Sequence, residues 1–242
     1  MALTRVTKTG NITVDGNVGI ETGTVTPRDA GASTLQIGGN GTRSAIKMHT
    51  SSSGTGSTDG LFLGYDSGPD FYILNSEANG EVKIGTNNSP GRLVIDASGY
   101  VTTPNQPSFM AHGNNGWQIS AGGANIPFGG VTFNNSGSYN TSTSKFTAPV
   151  AGKYMFITTL YQDNSYDCRL CMTINGAQLS SFGDVVPYGY TRGVATSGQS
   201  TLSMQYIANL NLNDYVEVRQ RASYGDARIY TPHCHFGGHL IG

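Results

Sequence analysis

The sequence predicts an all-β protein, and three observations predict it. Of 242 residues, 34 are Gly and only 12% are charged, while long helix-forming runs are absent. Short apolar stretches alternate with polar positions at the period of two that a half-buried strand requires. Gly, Asn, Asp and Pro punctuate those stretches with the chemistry of tight turns.

Charge and cysteine content narrow the function. The formal net charge is −1, with no block of like charge. A nucleic-acid partner is not expected, because phosphate binding needs clustered Lys and Arg. No segment approaches the roughly 20 apolar residues of a spanning helix, so membrane insertion is not expected either. The start, Met1-Ala2-Leu3-Thr4-Arg5, lacks the apolar core of a secretory signal, which suits a protein made in a bacterial cytoplasm. Three Cys residues exclude a complete disulfide framework. Cys168-Arg169-Leu170-Cys171 is formally a C-x-x-C, but on a strand residues three apart point to opposite faces. Cys168, Leu170, Met172 and Ile174 then form one apolar face, and Cys168 is read as a small core residue. No second Cys pair is present to complete a zinc site.

The first hundred residues carry a weak repeat of short apolar strands, in Asn11 to Ile20, Thr34 to Asn40, Glu81 to Asn88 and Arg92 to Val101. Their irregular spacing excludes a strict solenoid. Such strands hold too few apolar residues for a thick core and could bury their faces against copies of themselves around a three-fold axis. Asp59 to Asp66 and Asp70 to Asn75 are predicted as two strands joined at Ser67-Gly68-Pro69. Phe62, Tyr65, Phe71 and Tyr72 would supply their largest apolar area. Thr50 to Gly60 reads as a loop. Thr102-Thr103-Pro104-Asn105-Gln106-Pro107 suits an extended connector, so the expected domains are residues 1–103 and 104–242. The strands and the Gly-Asn-Val-Gly-Ile phrase (Gly16 to Ile20) resemble shaft segments of bacteriophage tail fibres and tailspikes. That resemblance implies a β-rich, intertwined, virion-anchoring shaft.

Gly152 to Tyr161 is the most telling stretch of the second half. Tyr154, Phe156, Thr158 and Leu160 face one way; Met155, Ile157, Thr159 and Tyr161 face the other. A strand apolar on both sides must be covered on both sides, one by the sandwich core and one by a neighbouring subunit. Thr201 to Ala208 alternates Leu202, Met204, Tyr206 and Ala208 against Ser203, Gln205 and Ile207. Tyr215 to Gln220 alternates Val216 and Val218 against Glu217 and Arg219, which predicts a half-exposed strand. Asn213 stands in a turn, where Asn tolerates positive φ better than most residues.

A series of phrases runs through this half: Ile126-Pro127-Phe128, Val131-Thr132-Phe133-Asn134-Asn135, Tyr139-Asn140, Lys145 to Phe156, Leu210 to Val216 and the terminal Phe236-Gly237-Gly238-His239-Leu240-Ile241. Together they resemble the globular head of complement C1q and its tumour-necrosis-factor-like relatives. The resemblance covers roughly 130 residues, from Pro107 to Gly242. It implies a ten-stranded-type jelly-roll sandwich, a homotrimer, and a head that binds other molecules without catalysis. It places the last strand in the inner sheet near the three-fold axis. The expected trimer interface is Met155, Ile157, Tyr161, His235 and His239. His233, His235 and His239 would share one face of a regular strand, so three chains could stack rings of His as a metal or anion site. The alternative is that these His pack at the interface or face a solvated channel. No other cofactor is expected.

No G-x-S-x-G elbow, phosphate-binding loop or H-E-x-x-H pattern is present, and the carboxylates are scattered, so no enzyme is expected. The head loops, rich in Tyr, Asn, Ser, Gly and Arg, are the expected binding surface. Their candidates are Tyr166, Tyr188, Tyr190, Arg192, Tyr224 and Tyr230. These readings converge on a surface-exposed viral fibre or spike. Its N-terminal region would meet other virion proteins, and its head a host glycan or outer-membrane receptor. A capsid decoration or cement protein and a secreted C1q-like protein are the rivals; the latter usually has a collagen-like Gly-x-y stalk, which is absent here.

Overall fold

The computed structural model describes residues 18–20, 35–37, 43–54, 56, 58–66, 68, 70–120, 123–163, 169–176, 190–192, 198–220 and 227–242. The chain divides into two compact units between Thr102 and Thr103.

In the first unit, β1 (Val18–Ile20) and β2 (Leu35–Ile37) pair in parallel. β3 (Arg43–Met48), β4 (Leu61–Asp66) and β5 (Phe71–Asn75) form an antiparallel sheet. The two strands predicted around Ser67-Gly68-Pro69 are β4 and β5; β3 is additional. β6 (Val82–Thr86), β7 (Ser89–Ile95) and β8 (Val101–Thr102) make a second antiparallel sheet. Asn87 and Asn88 join β6 to β7, both at φ +53. Two consecutive left-handed residues make the type I′ turn that matches strand twist, and Asn adopts that conformation at low cost.

The second unit is a sandwich. Its strands are β9 (Ser108–His112), β10 (Trp117–Ser120), β11 (Gly130–Asn135), β12 (Tyr139–Asn140), β13 (Lys145–Thr147), β14 (Gly152–Asp163), β15 (Arg169–Ile174), β16 (Tyr190–Arg192), β17 (Gln199–Leu210), β18 (Tyr215–Gln220), β19 (Ala227–Tyr230) and β20 (His235–Leu240). One sheet runs β10-β19-β14-β20-β9-β11, with β17 also on β14; the other runs β12-β13-β18-β15-β16. All described ladders of this unit are antiparallel. The fold is the jelly-roll-like head.

Aromatic rings bridge the two sheets. Phe109 of β9 stacks on Tyr139 at 4.8 Å and on Phe146 at 5.1 Å. Phe146 also meets Phe156 at 5.4 Å and Tyr154 at 5.3 Å. Each ring buries roughly 150–250 Å² and such pairs add about 0.5–1.5 kcal/mol beyond burial. Buried hydroxyls of the core find acceptors: the Tyr139 hydroxyl donates to the Phe128 carbonyl at 3.0 Å, and the Thr158 hydroxyl to the His235 carbonyl at 2.8 Å. The expected alternations hold in β14 and β17, where Leu202, Met204 and Ala208 are buried and Ser203, Gln205 and Ile207 exposed. Cys168 lies outside the described residues. Leu170 and Met172 are buried, and Ile174 packs on the core. Cys171, on the opposite face, is buried as well.

β18 departs from its expected half-exposure. Glu217 is only 1% exposed. Its carboxylate lies 3.6 Å from Lys145 Nζ and 3.4 Å from Arg219, and accepts from the Thr173 hydroxyl at 3.4 Å. A buried carboxylate is tolerable when cations and donors surround it. Arg219 is a neighbour on β18 itself, but Lys145 and Thr173 come from β13 and β15, so local alternation could not reveal them.

The turn from β17 to β18 bears out the reading of Asn213, which sits at φ +70. Asp214 accepts from the Asn175 side-chain amide at 2.8 Å and the Asn211 backbone N–H at 2.7 Å. These two bonds, the first above all, hold its carboxyl below the usual carboxylate range.

Gly238 lets β20 lie flat beneath the core rings. A Cβ there would meet Phe156 Cδ1 at 2.5 Å and Phe109 Cε1 at 3.0 Å. Gly238→Ala should therefore destabilise the protein by about 1–3 kcal/mol through overpacking. Denaturant unfolding checks this, and an unchanged midpoint would contradict the packing described.

Candidate functional site

The surface of interest grows from β14. Its buried face presents Tyr154, Phe156, Thr158 and Leu160; its outer face presents Met155, Ile157, Thr159 and Tyr161, partly or largely exposed. Because register sets which side chains share a face, the ladders identify the neighbours. Met155 lies between His239 of β20 and Ile207 of β17; Ile157 lies between Gly237 and Gln205; Thr159 lies between His235 and Ser203. One strand further out, Gly237 pairs with Met110 and Met110 with Phe133.

The result is a broad outer face rich in apolar groups. Phe133 is 44% exposed, Ile157 39% and Ile207 58%. Met110, Phe133, Met155, Ile157 and His239 line a groove of about 330 Å³. Gly237 keeps it open beside Met110, whose Sδ and Cε would stand 3.0 Å from a Cβ at that position. Exposed apolar area on this scale marks an interaction site.

At one end the face becomes aromatic. Trp117 meets Tyr230 at 5.3 Å and Tyr161 at 6.1 Å, and the His233 ring stands edge-on to Tyr161 and Tyr230 at 5.3 and 4.8 Å. The Arg228 guanidinium lies 4.9 Å from the centre of the Trp117 ring and pairs with Asp163 at 2.9 Å. Arginine over indole is a favourable cation–π arrangement.

The expected interface residues Met155, Ile157, Tyr161, His235 and His239 all fall on this outer face. The three-His expectation holds in part: the His233 ring stands against Tyr161 of the same outer face, but no regular strand runs through all three. Only His235 and His239 lie on β20; His233 ends the 3₁₀ turn Thr231–His233, one residue short of the strand neighbour Cys234. The Cys234 N–H donates to the Thr231 carbonyl at 2.9 Å and closes that turn, so the regular strand begins only at His235. Among the described residues, no group of three or more His, Cys, Asp or Glu could hold a metal ion within one chain.

The loop candidates fare differently. Tyr166, Tyr188 and Tyr224 lie outside the described residues. Tyr190 and Arg192 belong to β16, where they pair with Cys171 and Arg169 of β15, and so sit on a strand. Tyr230 is on β19 and packs into the aromatic end. Sequence reasoning missed Met110, Phe133, Ile207, Trp117 and Arg228. Ile207 alone was legible, as the one apolar residue on the polar side of β17; the others join the face through pairings distant in sequence.

Comparison with known proteins gives one family match: the C1q domain, over residues 108–241. No curated protein sequence matches the chain. Among solved structures, the globular domain of zebrafish complement 1qA protein is similar at 20% identity, covering 57% of this chain and 98% of that one, with a TM-score of 0.43. Eiger TNF from S. frugiperda is similar at 14% identity, with 57% and 94% covered and a TM-score of 0.39. Murine APRIL at pH 5.0 is similar at 7% identity, with 56% and 99% covered and a TM-score of 0.40.

Cys234 lies directly behind the aromatic end. Its Sγ accepts from the Tyr161 backbone N–H at 3.4 Å and donates to the Tyr230 carbonyl at 3.2 Å. Burial pushes its thiol up from 9.0 to about 11. A raised folded-state value contributes stability below the unfolded value, which is lost as pH rises through the folded one. The thermal midpoint should therefore fall between pH 9 and about 11. Tyr139 and Tyr154, both raised mainly by burial, act in the same direction. Cys234→Ala should reduce the slope in that window, and an unchanged slope would contradict this assignment.

Proposed function

The chain belongs to the C1q domain family, and from that premise we propose that it is a homotrimeric virion fibre or spike protein whose head attaches to a host surface. Domains of this family typically form homotrimers. The observation that carries the reading is the outer face of β14 and its neighbours, where Phe133, Ile157 and Ile207 stand 39–58% exposed in one chain. Packing three such faces together removes that apolar surface from water.

The first unit supports the fibre reading through its composition and form: short strands, thin sheets and large exposed side chains such as Phe71 and Tyr100. In this reading it anchors the head to other virion proteins. The Tyr- and Asn-rich segments around Tyr166, Tyr188 and Tyr224 meet a glycan or outer-membrane receptor. The role is binding alone: three weak sites on one particle give firm attachment because each tethers the next.

The test is binding of the labelled full chain to candidate bacterial hosts. Ile157→Asp with Ile207→Asp places charge on the self-association face without touching the Tyr-rich segments. Apparent affinity for cells should fall by about 100-fold through lost multivalency. Equal binding by both proteins would contradict a trimeric adhesin. Binding to capsids and not to cells would favour a decoration role instead.

A further inference from the structure

The β3-β4-β5 sheet lies outside the C1q domain, and its two faces differ in character. The ladder aligns Ile46 with Leu63 and Ile73, Tyr65 with Phe71, and Met48 with Leu61. Alternation puts all of these on one face. Lys47 lies on the other, 5.3 Å from the centre of the Phe62 ring.

That first face is apolar, uncharged and open. Exposure is 42% at Ile46, 46% at Met48, 54% at Tyr65, 67% at Phe71 and 48% at Ile73. A three-stranded sheet becomes stable when its apolar face packs on a second layer. Charged residues elsewhere make a poor cover, because an uncharged face leaves their charges desolvated and unpaired. The same face on another copy carries no charge and is matched in size.

We propose that this face packs against the same face of other copies of the chain, as a second self-association surface separate from the head. Taking about 200 Å² for a fully exposed large residue, the exposed fractions amount to roughly 500 Å² per copy, below the about 800 Å² that each partner of a standard interface buries. The contact is therefore too small to hold free chains together. It suits chains already gathered by their heads, where tethering raises the local concentration to the mM range. The inference thus rests on the trimeric reading of the head.

Two adjacent positions on β5 make a matched test in the full chain. Ile73 and Leu74 are 48% and 50% exposed but point to opposite faces, so Cys should be tolerated at either. A bis-maleimide is added to Ile73→Cys, Leu74→Cys and the parent chain, with native mass measured beforehand. Ile73→Cys should yield covalent multimers in at least tenfold excess over the other two. A multi-copy particle with no such excess overturns this proposal and leaves the head reading standing. A monomeric parent overturns both.

Discussion

A long strand with two apolar faces can be buried only between two layers, and the C1q domain supplies one of them. β14 is that strand. Tyr154, Phe156 and Leu160 enter the aromatic core; Met155, Ile157 and Tyr161 emerge on the other side. Its twelve residues pair with β17 along their whole length and with β20 over Tyr154 to Thr159. The strand thus organises the larger sheet, and its sidedness decides which surface is interior and which stands exposed in the single chain.

The terminal strand makes this arrangement workable. Phe236 is wholly buried, while Gly237 and Gly238 have no side chain on either face. On the inner side that leaves room for the Phe156 and Phe109 rings; on the outer side it leaves room for Met110. Core packing and outer groove are therefore coupled through two residues. A side chain at Gly238 would strain the core, and one at Gly237 would press on the Met110 sulfur. His235 and His239 flank this pair on the outer face, beside Thr159 and Met155.

Much of this was legible in the sequence, for identifiable reasons. The period-two pattern of β14 and β17 is local, and so is the turn at Asn213, whose φ of +70 suits Asn. The phrases that resemble C1q heads pointed to the sandwich that the structure bears out. What was not legible depends on distant partners. Glu217 is buried because Lys145 and Thr173 come from other strands. Trp117 reaches the outer face by pairing with Tyr230, more than a hundred residues later. β3 was missed because Arg43-Ser44-Ala45-Ile46-Lys47-Met48 has a weak alternation that only its pairing with β4 stabilises. That His233 closes a 3₁₀ turn instead of lying on the strand was not legible either, because the turn is set by the bond from the Cys234 N–H to the Thr231 carbonyl.

Native mass of the unmodified chain, by sedimentation equilibrium across a dilution series, tests the central claim most directly. Burial of the β14 outer face between copies predicts a species three times the 25.5 kDa chain that persists on dilution. A stable, compact 25.5 kDa monomer at all concentrations would contradict it, leaving Met155, Ile157 and Ile207 in need of a different cover.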